Sequence, residues 1–434
     1  MSATGSMTAS DPMSAKLTAP ASIAAGAPFG IGVIGAGQII KRHAVAYQAL
    51  PGLARLVAVA DIDARRAAEA KDRYGFGHAL SDYQELLRRD DVQCVSVCTP
   101  PHVHARIVID AIRAGKHVLC EKPMATTLAD ADAIIRACDE RPDVRVSFVF
   151  QMRLDAAHQR IRRMIEAGSL GRVFKASLSV AIRKTSDYYT HAPGRGTWGQ
   201  DGGGVLINQA IHQLDSLITF LGTPVEVAAA MGTFVHPIEA EDTLVGQVRF
   251  ESGAIATIEC CSAALERKFG IEVLGQHAAM RVGGNPDGHM FDWQIKARGS
   301  AARGALRRQA LRMVPAPRDP PKLVMRWQKT SAKVRHRDWL PPGHWEHIPI
   351  VRAFLESVRN RGDVPVSAWE ARRSLELATA LYQAAIERRV VKMSQGWKCP
   401  FYTGFNASVV KERSAPVDWR EAEQARSTVG AQPV

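Results

Sequence analysis

The 434-residue chain contains no apolar run near the ~18 residues that a membrane-spanning helix needs, so no transmembrane segment is expected. Its seven cysteines (Cys94, Cys98, Cys120, Cys138, Cys260, Cys261 and Cys399) form no CxxC pair and are odd in number, which speaks for a reducing cytoplasm. Residues 1–28 lack both the basic start and the apolar stretch of ~7–15 residues found in a secretory signal, and read as a disordered leader. There is no internal repeat and no Ser or Cys nucleophile motif. Cys260-Cys261 lies in an apolar strand and reads as core. His344-Trp345-Glu346-His347 sets two histidines at i, i+3 with no third ligand in spacing. A structural or substrate-lining role is expected there, and no metal site.

What is present belongs to an ordinary folded protein: 46% apolar and 23% charged residues, in a length that fits two to three domains. The net charge is +13, and one stretch carries most of it. Between Arg281 and Leu340 there are 14 basic and 4 acidic residues. No nucleic-acid recognition module accompanies that run, so it reads as a solvated basic insertion or a subunit-interface arm. Attraction of an anionic substrate or surface is the sharper alternative.

From Phe29 to Phe150, short apolar runs alternate with helical stretches. The runs Ile31–Ile34, Leu56–Ala60, Cys94–Cys98, Val118–Cys120 and Val144–Phe150 read as buried strands. Gln38–Leu50, Ala64–Arg73, His104–Ala114 and Leu128–Glu140 read as helices, the last opened by Thr127 three residues before Asp130. This alternation predicts a doubly wound parallel sheet over residues 29–150. A second α/β domain with an open, mainly antiparallel sheet is expected over 151–397. Its segments would be Ala156–Ala167, Val173–Ile182, Glu226–Phe234, Thr243–Phe250, Ala254–Cys260, Ile348–Asn360 and Ala368–Arg389, with the basic insertion at about 281–340. Residues 398–434 read as a tail.

Four signals carry chemistry. Gly35-Ala36-Gly37 follows the first strand and precedes a helix, where backbone N–H groups and the helix N-terminus cradle a pyrophosphate. Ile40 stands where a third glycine would complete the fingerprint. Asp61 ends the second strand 24 residues after Gly37, where a carboxylate binds a ribose diol and repels a 2′-phosphate. This favours NAD, and Arg65 and Arg66 keep NADP open. Next come Thr99-Pro100…His104 at the end of the third strand and Glu121-Lys122-Pro123 at the end of the fourth. Lastly, Gly202-Gly203-Gly204 leads into a helix expected to run to Gly222, on which Asn208, His212 and Asp215 share a face. Water is the default environment for such a polar stripe.

In this order the motifs resemble the glucose–fructose oxidoreductase / inositol dehydrogenase / rhizopine-catabolism (Gfo/Idh/MocA) family of NAD(P)-dependent oxidoreductases, from about Phe29 to about Arg389. The resemblance implies a Rossmann domain and a C-terminal α/β domain that covers the nicotinamide and often builds homo-oligomers, a dimer or tetramer. It implies an active-site lysine at Lys122 and an acid/base histidine at His212. Gly35, Gly37, Asp61, Thr99, Pro100, His104 and Glu121 match cofactor-lining positions. Gln38 and Ile39, which complete the glycine turn, and Lys122 itself are counted with them. Trp198 matches a position near the nicotinamide. Asn208 departs from the cyclitol dehydrogenases of the family, which have Asp there. Asn cannot take a proton, which speaks against an inositol substrate.

Three functions fit: a dehydrogenase or reductase of a sugar-like secondary alcohol, NAD-assisted glycosidic cleavage through a transient ketone, and a catalytically silent NAD-binding regulator. The last would tend to lose Lys122 and His212, so a dehydrogenase acting on a sugar, cyclitol or sugar derivative leads. Its partners would be that small molecule and further copies of the chain, with no nucleic acid and no membrane.

Overall fold

The structure is a computed structural model and describes residues 26–192, 194–284, 292–297, 347–393, 398–405, 408 and 410. The leader expected over 1–28 falls almost wholly outside these residues, as do most of the basic insertion and the tail beyond Val410.

Six strands form a parallel sheet: β1 (Phe29–Ile34), β2 (Ala54–Ala60), β3 (His78–Leu80), β4 (Cys94–Val97), β5 (His117–Cys120) and β6 (Val146–Phe148), in the order β3-β2-β1-β4-β5-β6. Every residue of β1 is buried, as a strand covered on both faces requires. The covering helices are α1 (Ile40–Gln48), α2 (Ala64–Tyr74), α3 (Tyr83–Leu87), α4 (His104–Arg113) and α5 (Leu128–Glu140). The Thr127 side chain caps α5 by accepting from the Asp130 amide. Register then fixes the site. Ile34 lies opposite Ala60 on one side and Val97 on the other, and Val97 lies opposite Cys120. The residues that follow these strands, Gly35, Asp61, Cys98 and Glu121, therefore emerge at one edge of the sheet.

The second layer begins with α6 (Ala156–Glu166), β7 (Val173–Arg183), α7 (Ser186–Thr190), α8 (Val205–Gln209) and α9 (Ile211–Leu221). It continues through β8 (Pro224–Gly232), β9 (Thr243–Phe250), β10 (Ile255–Cys261), β11 (Ala263–Gly275), β12 (Ala278–Gly284) and β13 (Asp292–Ala297). Then come α10 (His347–Asn360), α11 (Ala368–Glu387) and β14 (Val391–Lys392). Its eight strands run β13-β12-β11-β7-β10-β9-β8-β14, antiparallel except where β10 pairs with β7. In β9 the buried residues alternate with exposed ones, so one face packs and the other stays open. The doubly wound and mainly antiparallel sheets are those expected from the sequence.

The basic insertion starts in regular structure, with Arg281 in β12, which pairs with β13. Three expectations are corrected. The chain from Lys398 is not all tail, because Phe401 and Phe405 stack on each other and Phe405 packs on Tyr382. The helices α10 and α11 do not serve the second domain alone, since α10 packs on α1 and α11 on α5. Finally, the helix led by three glycines is broken at Ala210, which separates α8 from α9. Among the described residues no helix is long and apolar enough to cross a membrane.

Candidate active site

Gly35 has φ +99°, and a side chain there would put Cβ 2.7 Å from the carbonyl of Cys98. Only glycine lets β1 turn this tightly against the end of β4. Asp61 holds the next residue of the turn: its carboxylate accepts from the Ala36 amide at 2.7 Å and from the Asp63 amide at 2.9 Å. In front of Gly37 there is open space. The N-cap position of α1, Ile39, carries no side-chain cap, so no side chain of that residue occupies the helix N-terminus behind the turn. The Thr99 hydroxyl is buried without a partner at the end of β4. An open glycine turn, an uncapped helix N-terminus, a strand-end carboxylate and an orphaned hydroxyl at one sheet edge fit a dinucleotide laid across it.

His104 braces the site from inside. It is fully buried, with its ring nitrogens 2.9 Å from the carbonyls of Pro123 and Thr99. It therefore ties the Thr99 loop to the Lys122-Pro123 turn. Glu121 likewise turns inward. Its Oε1 meets His43 Nε2 at 2.9 Å and His347 Nε2 at 3.2 Å, and Oε2 accepts from the Lys122 amide. Burial pushes this carboxyl up, but the bonds from His347 and His43 outweigh it and hold the group well below the usual carboxylate range. His347 thus has the partners that its sequence neighbourhood lacked. Ligand atoms of His43, Glu121 and His347 lie within 4.8 Å of one another, yet both histidines already spend Nε2 on the carboxylate. The arrangement is that of a hydrogen-bonded buried anion.

Lys122 leaves this anchored turn, and its Nζ donates to the main-chain carbonyl of Asn208 at 2.8 Å. That carbonyl lies two residues before the break at Ala210, where α8 ends and α9 begins. Burial lowers the Lys122 pKa, against the pull of Glu121 and Asp201. His212 opens α9, with its ring edge-on to Phe150 at 5.7 Å and its Nδ1 buried without a partner. Burial, and then the charge of Lys122, holds its pKa well below the usual histidine value, so the ring is neutral.

The polar stripe did not survive the break. Asp215 is buried inside the fold, where Arg153 grips it through two bonds of 2.7 Å and Ser374 donates at 2.9 Å. The Asn208 side chain points to Asp201, donating to Oδ2 at 2.8 Å. Asp201, the loop residue just before the glycine run, is the carboxylate of this neighbourhood that sequence reasoning missed. It returns a carboxylate to the neighbourhood of Lys122 from a different place in the chain. Burial raises its pKa, while bonds from the Gly196 amide and Asn208 oppose the rise.

Trp198 precedes the glycine run in sequence. It is buried against Tyr382 and Phe405, with ring centroids at 4.9 and 5.1 Å. It therefore props the glycine run rather than presenting an open face. That run is fixed from below: Glu241 accepts from the amides of Gly204 and Leu206 and from the Tyr382 hydroxyl. A Cβ on Gly204 would sit 1.8 Å from the Glu241 carbonyl, so glycine is required there.

Comparison with known proteins places this geometry. Residues 29–149 match a family model described as an oxidoreductase family with an NAD-binding Rossmann fold, and residues 158–281 match a GFO/IDH/MocA C-terminal domain. The chain is 27% identical over 259 residues to the levoglucosan dehydrogenase of Pseudarthrobacter phenanthrenivorans, covering 53% of this chain and 66% of that one. It is 33% identical over 253 residues to the 1,5-anhydro-D-fructose reductase of Ensifer adhaerens, covering 57% and 74%. The matches span about two thirds of the length of such curated relatives. Among solved structures, the WlbA dehydrogenase of Bordetella pertussis, in complex with NADH and UDP-GlcNAcA, superposes with a TM-score of 0.70. It is 26% identical, over 86% of this chain and 99% of that one.

Proposed function

The chain belongs to the Gfo/Idh/MocA family of oxidoreductases, and from that premise we propose that it oxidises or reduces a secondary alcohol or ketone of a sugar, cyclitol or sugar derivative with NAD. The observation that carries this reading is the bond from Lys122 to the Asn208 carbonyl, which joins the end of β5 to the break before His212. NAD supplies the hydride acceptor or donor when bound. Gly35, Gly37, Gln38, Ile39, Asp61, Thr99 and Pro100 form the edge that holds it. His212, neutral and part-buried, takes the hydroxyl proton on a ring nitrogen as the carbonyl forms. Lys122 keeps two N–H donors for the substrate oxygen after the third is spent on Asn208, and holds the charge that develops there. His104 and Glu121 act through the turns they fix, and Trp198 through the glycine run.

The relatives act on sugars, as their names state: levoglucosan, 1,5-anhydro-D-fructose and myo-inositol. That supports a sugar-like substrate for this chain. The two units of the reading are residues 29–150 for the cofactor and 151–397 for the substrate. Seven free thiols support a cytoplasmic setting, and the open face of the eight-stranded sheet, with Val245 and Ile255 exposed on it, supports a homo-oligomer.

The test is a panel of sugars, cyclitols and keto-sugars with NAD or NADH, followed by absorbance of the reduced cofactor. Sustained NADH formation on one of the alcohols, or NADH consumption on one of the ketones, is expected. Release of a glycosidic product with no net NADH change would overturn the reading.

A further inference from the structure

Beside Lys122 lies a second cationic group that the redox step does not use. Lys184 follows β7 and sets Nζ 4.0 Å from the centre of the Tyr188 ring, and the Arg195 guanidinium stands 4.2 Å from the same ring. Arg195 is fixed in place by donating to the Tyr188 carbonyl at 2.7 Å. The Tyr188 hydroxyl accepts from Gln209, which also holds the Asn208 side chain, so the cluster is tied to the residue that anchors Lys122. Neither Lys184 nor Arg195 makes an ion pair among the described residues. Burial, with Arg195, Arg267 and Lys122 nearby, pushes Lys184 down to about 8. Asp201 is a carboxylate near Arg195 and Lys122, and Asn208 and the Gly196 amide already occupy its Oδ2.

Cations gathered in a part-buried cleft repel one another, and an anionic ligand relieves that cost. Hydrogen bonds run from the Lys122 ammonium through Asn208 and Gln209 to the Tyr188 hydroxyl, so the anion would sit on the substrate side that adjoins Lys122. Cation–ring packing on Tyr188 leaves an ammonium and one guanidinium edge for a two-oxygen anion. We infer that Lys184, Tyr188 and Arg195 form a carboxylate subsite, and that the substrate is a sugar acid carrying its carboxylate on the ring that is oxidised. This rests on the reading that Lys122 meets the reacting hydroxyl.

The experiment titrates the NADH-loaded protein by calorimetry with matched pairs: D-glucuronate and D-glucose, D-galacturonate and D-galactose, D-mannuronate and D-mannose, and the 6-phosphate of each neutral sugar. At least one uronate should bind tenfold or more tighter than its neutral parent and its phosphate. Lys184→Met and Arg195→Met should each remove that preference while NADH affinity holds. The subsite is overturned if every neutral parent or phosphate binds as tightly as its uronate, if nothing binds, or if the preference survives both variants. NADH formation, read separately with NAD, keeps the two claims apart. A tightly bound uronate that is never oxidised sinks the dehydrogenase and leaves the subsite. Neutral sugars oxidised without a uronate preference do the reverse.

Discussion

Lys122 and Asn208 meet through the backbone: the ammonium of one donates to the carbonyl of the other at 2.8 Å, across 86 residues of sequence. Any side chain at position 208 can offer that carbonyl. Lys122→Met and His212→Ala should each lower kcat/KM by about 10²–10⁴, the usual range for acid–base groups, with NAD affinity little changed. His212→Ala with near-normal turnover on the true substrate would reduce His212 to a packing residue against Phe150.

After Glu121, Asp201 is a second carboxylate that pulls the Lys122 pKa upward against burial. Asp201→Asn removes that pull, so Lys122 should lose its proton at lower pH. The limb of the kcat/KM–pH profile that reports Lys122 should move to lower pH, and an unmoved limb would uncouple the two groups. Asn208→Asp should not simply strengthen His212. It would set a second carboxyl beside Asp201, where Asn208 now donates at 2.8 Å. The pair should then retain one proton near neutrality, seen as proton uptake in a potentiometric titration against the wild type.

The interior pair Arg153–Asp215 is nearly closed to water, with Asp215 1% exposed. Asp215→Ala leaves the guanidinium buried with only Glu370 beside it and should cost about 3–5 kcal/mol of unfolding free energy. A loss below about 1 kcal/mol in denaturant titration would show that water reaches Arg153 after all.

Burial pushes the Glu241 carboxyl from its ordinary 4.5 up to about 7, despite the amides it accepts from. The folded state therefore binds this proton more tightly than the unfolded chain. The stabilisation is complete below pH 4.5 and is lost as pH climbs through 7. At about 1.4 kcal/mol for each pH unit, the wild type should lose about 3 kcal/mol relative to Glu241→Gln across that window. Parallel stability–pH curves for the two proteins would contradict it.

Asp61 does two jobs, since it also holds the Ala36 amide. Asp61→Ala should weaken NAD and relax discrimination against NADP. A wild type that prefers NADP tenfold, about 1.4 kcal/mol the wrong way, would reverse the cofactor assignment.

The parallel strands were legible because each is a short run buried on both faces, and Leu128–Glu140 was legible through its Thr127 cap. The strand His78–Leu80 is three residues long and half-buried, too short to show a period. The break at Ala210 has no Gly or Pro to announce it; the Asn208 carbonyl just before it is taken by the tertiary bond from Lys122. Asp201, Lys184 and Arg195 lie in or beside loops, and His43 and His347 are separated by 304 positions. Their meeting is a property of packing, which no local pattern encodes.

The partnership of Glu121 with His347 also sets an order of events during synthesis. A ribosome that has released the chain through Phe150 has delivered all six strands of the parallel sheet, yet one of the two histidines on that buried carboxylate is still almost 200 codons away. The hydrogen bonds between Ser147 and Val366 wait longer still. The cofactor half of the molecule is thus discontinuous in the gene. The contacts that complete its Lys122 turn are therefore available only after residues 151–346 have been made.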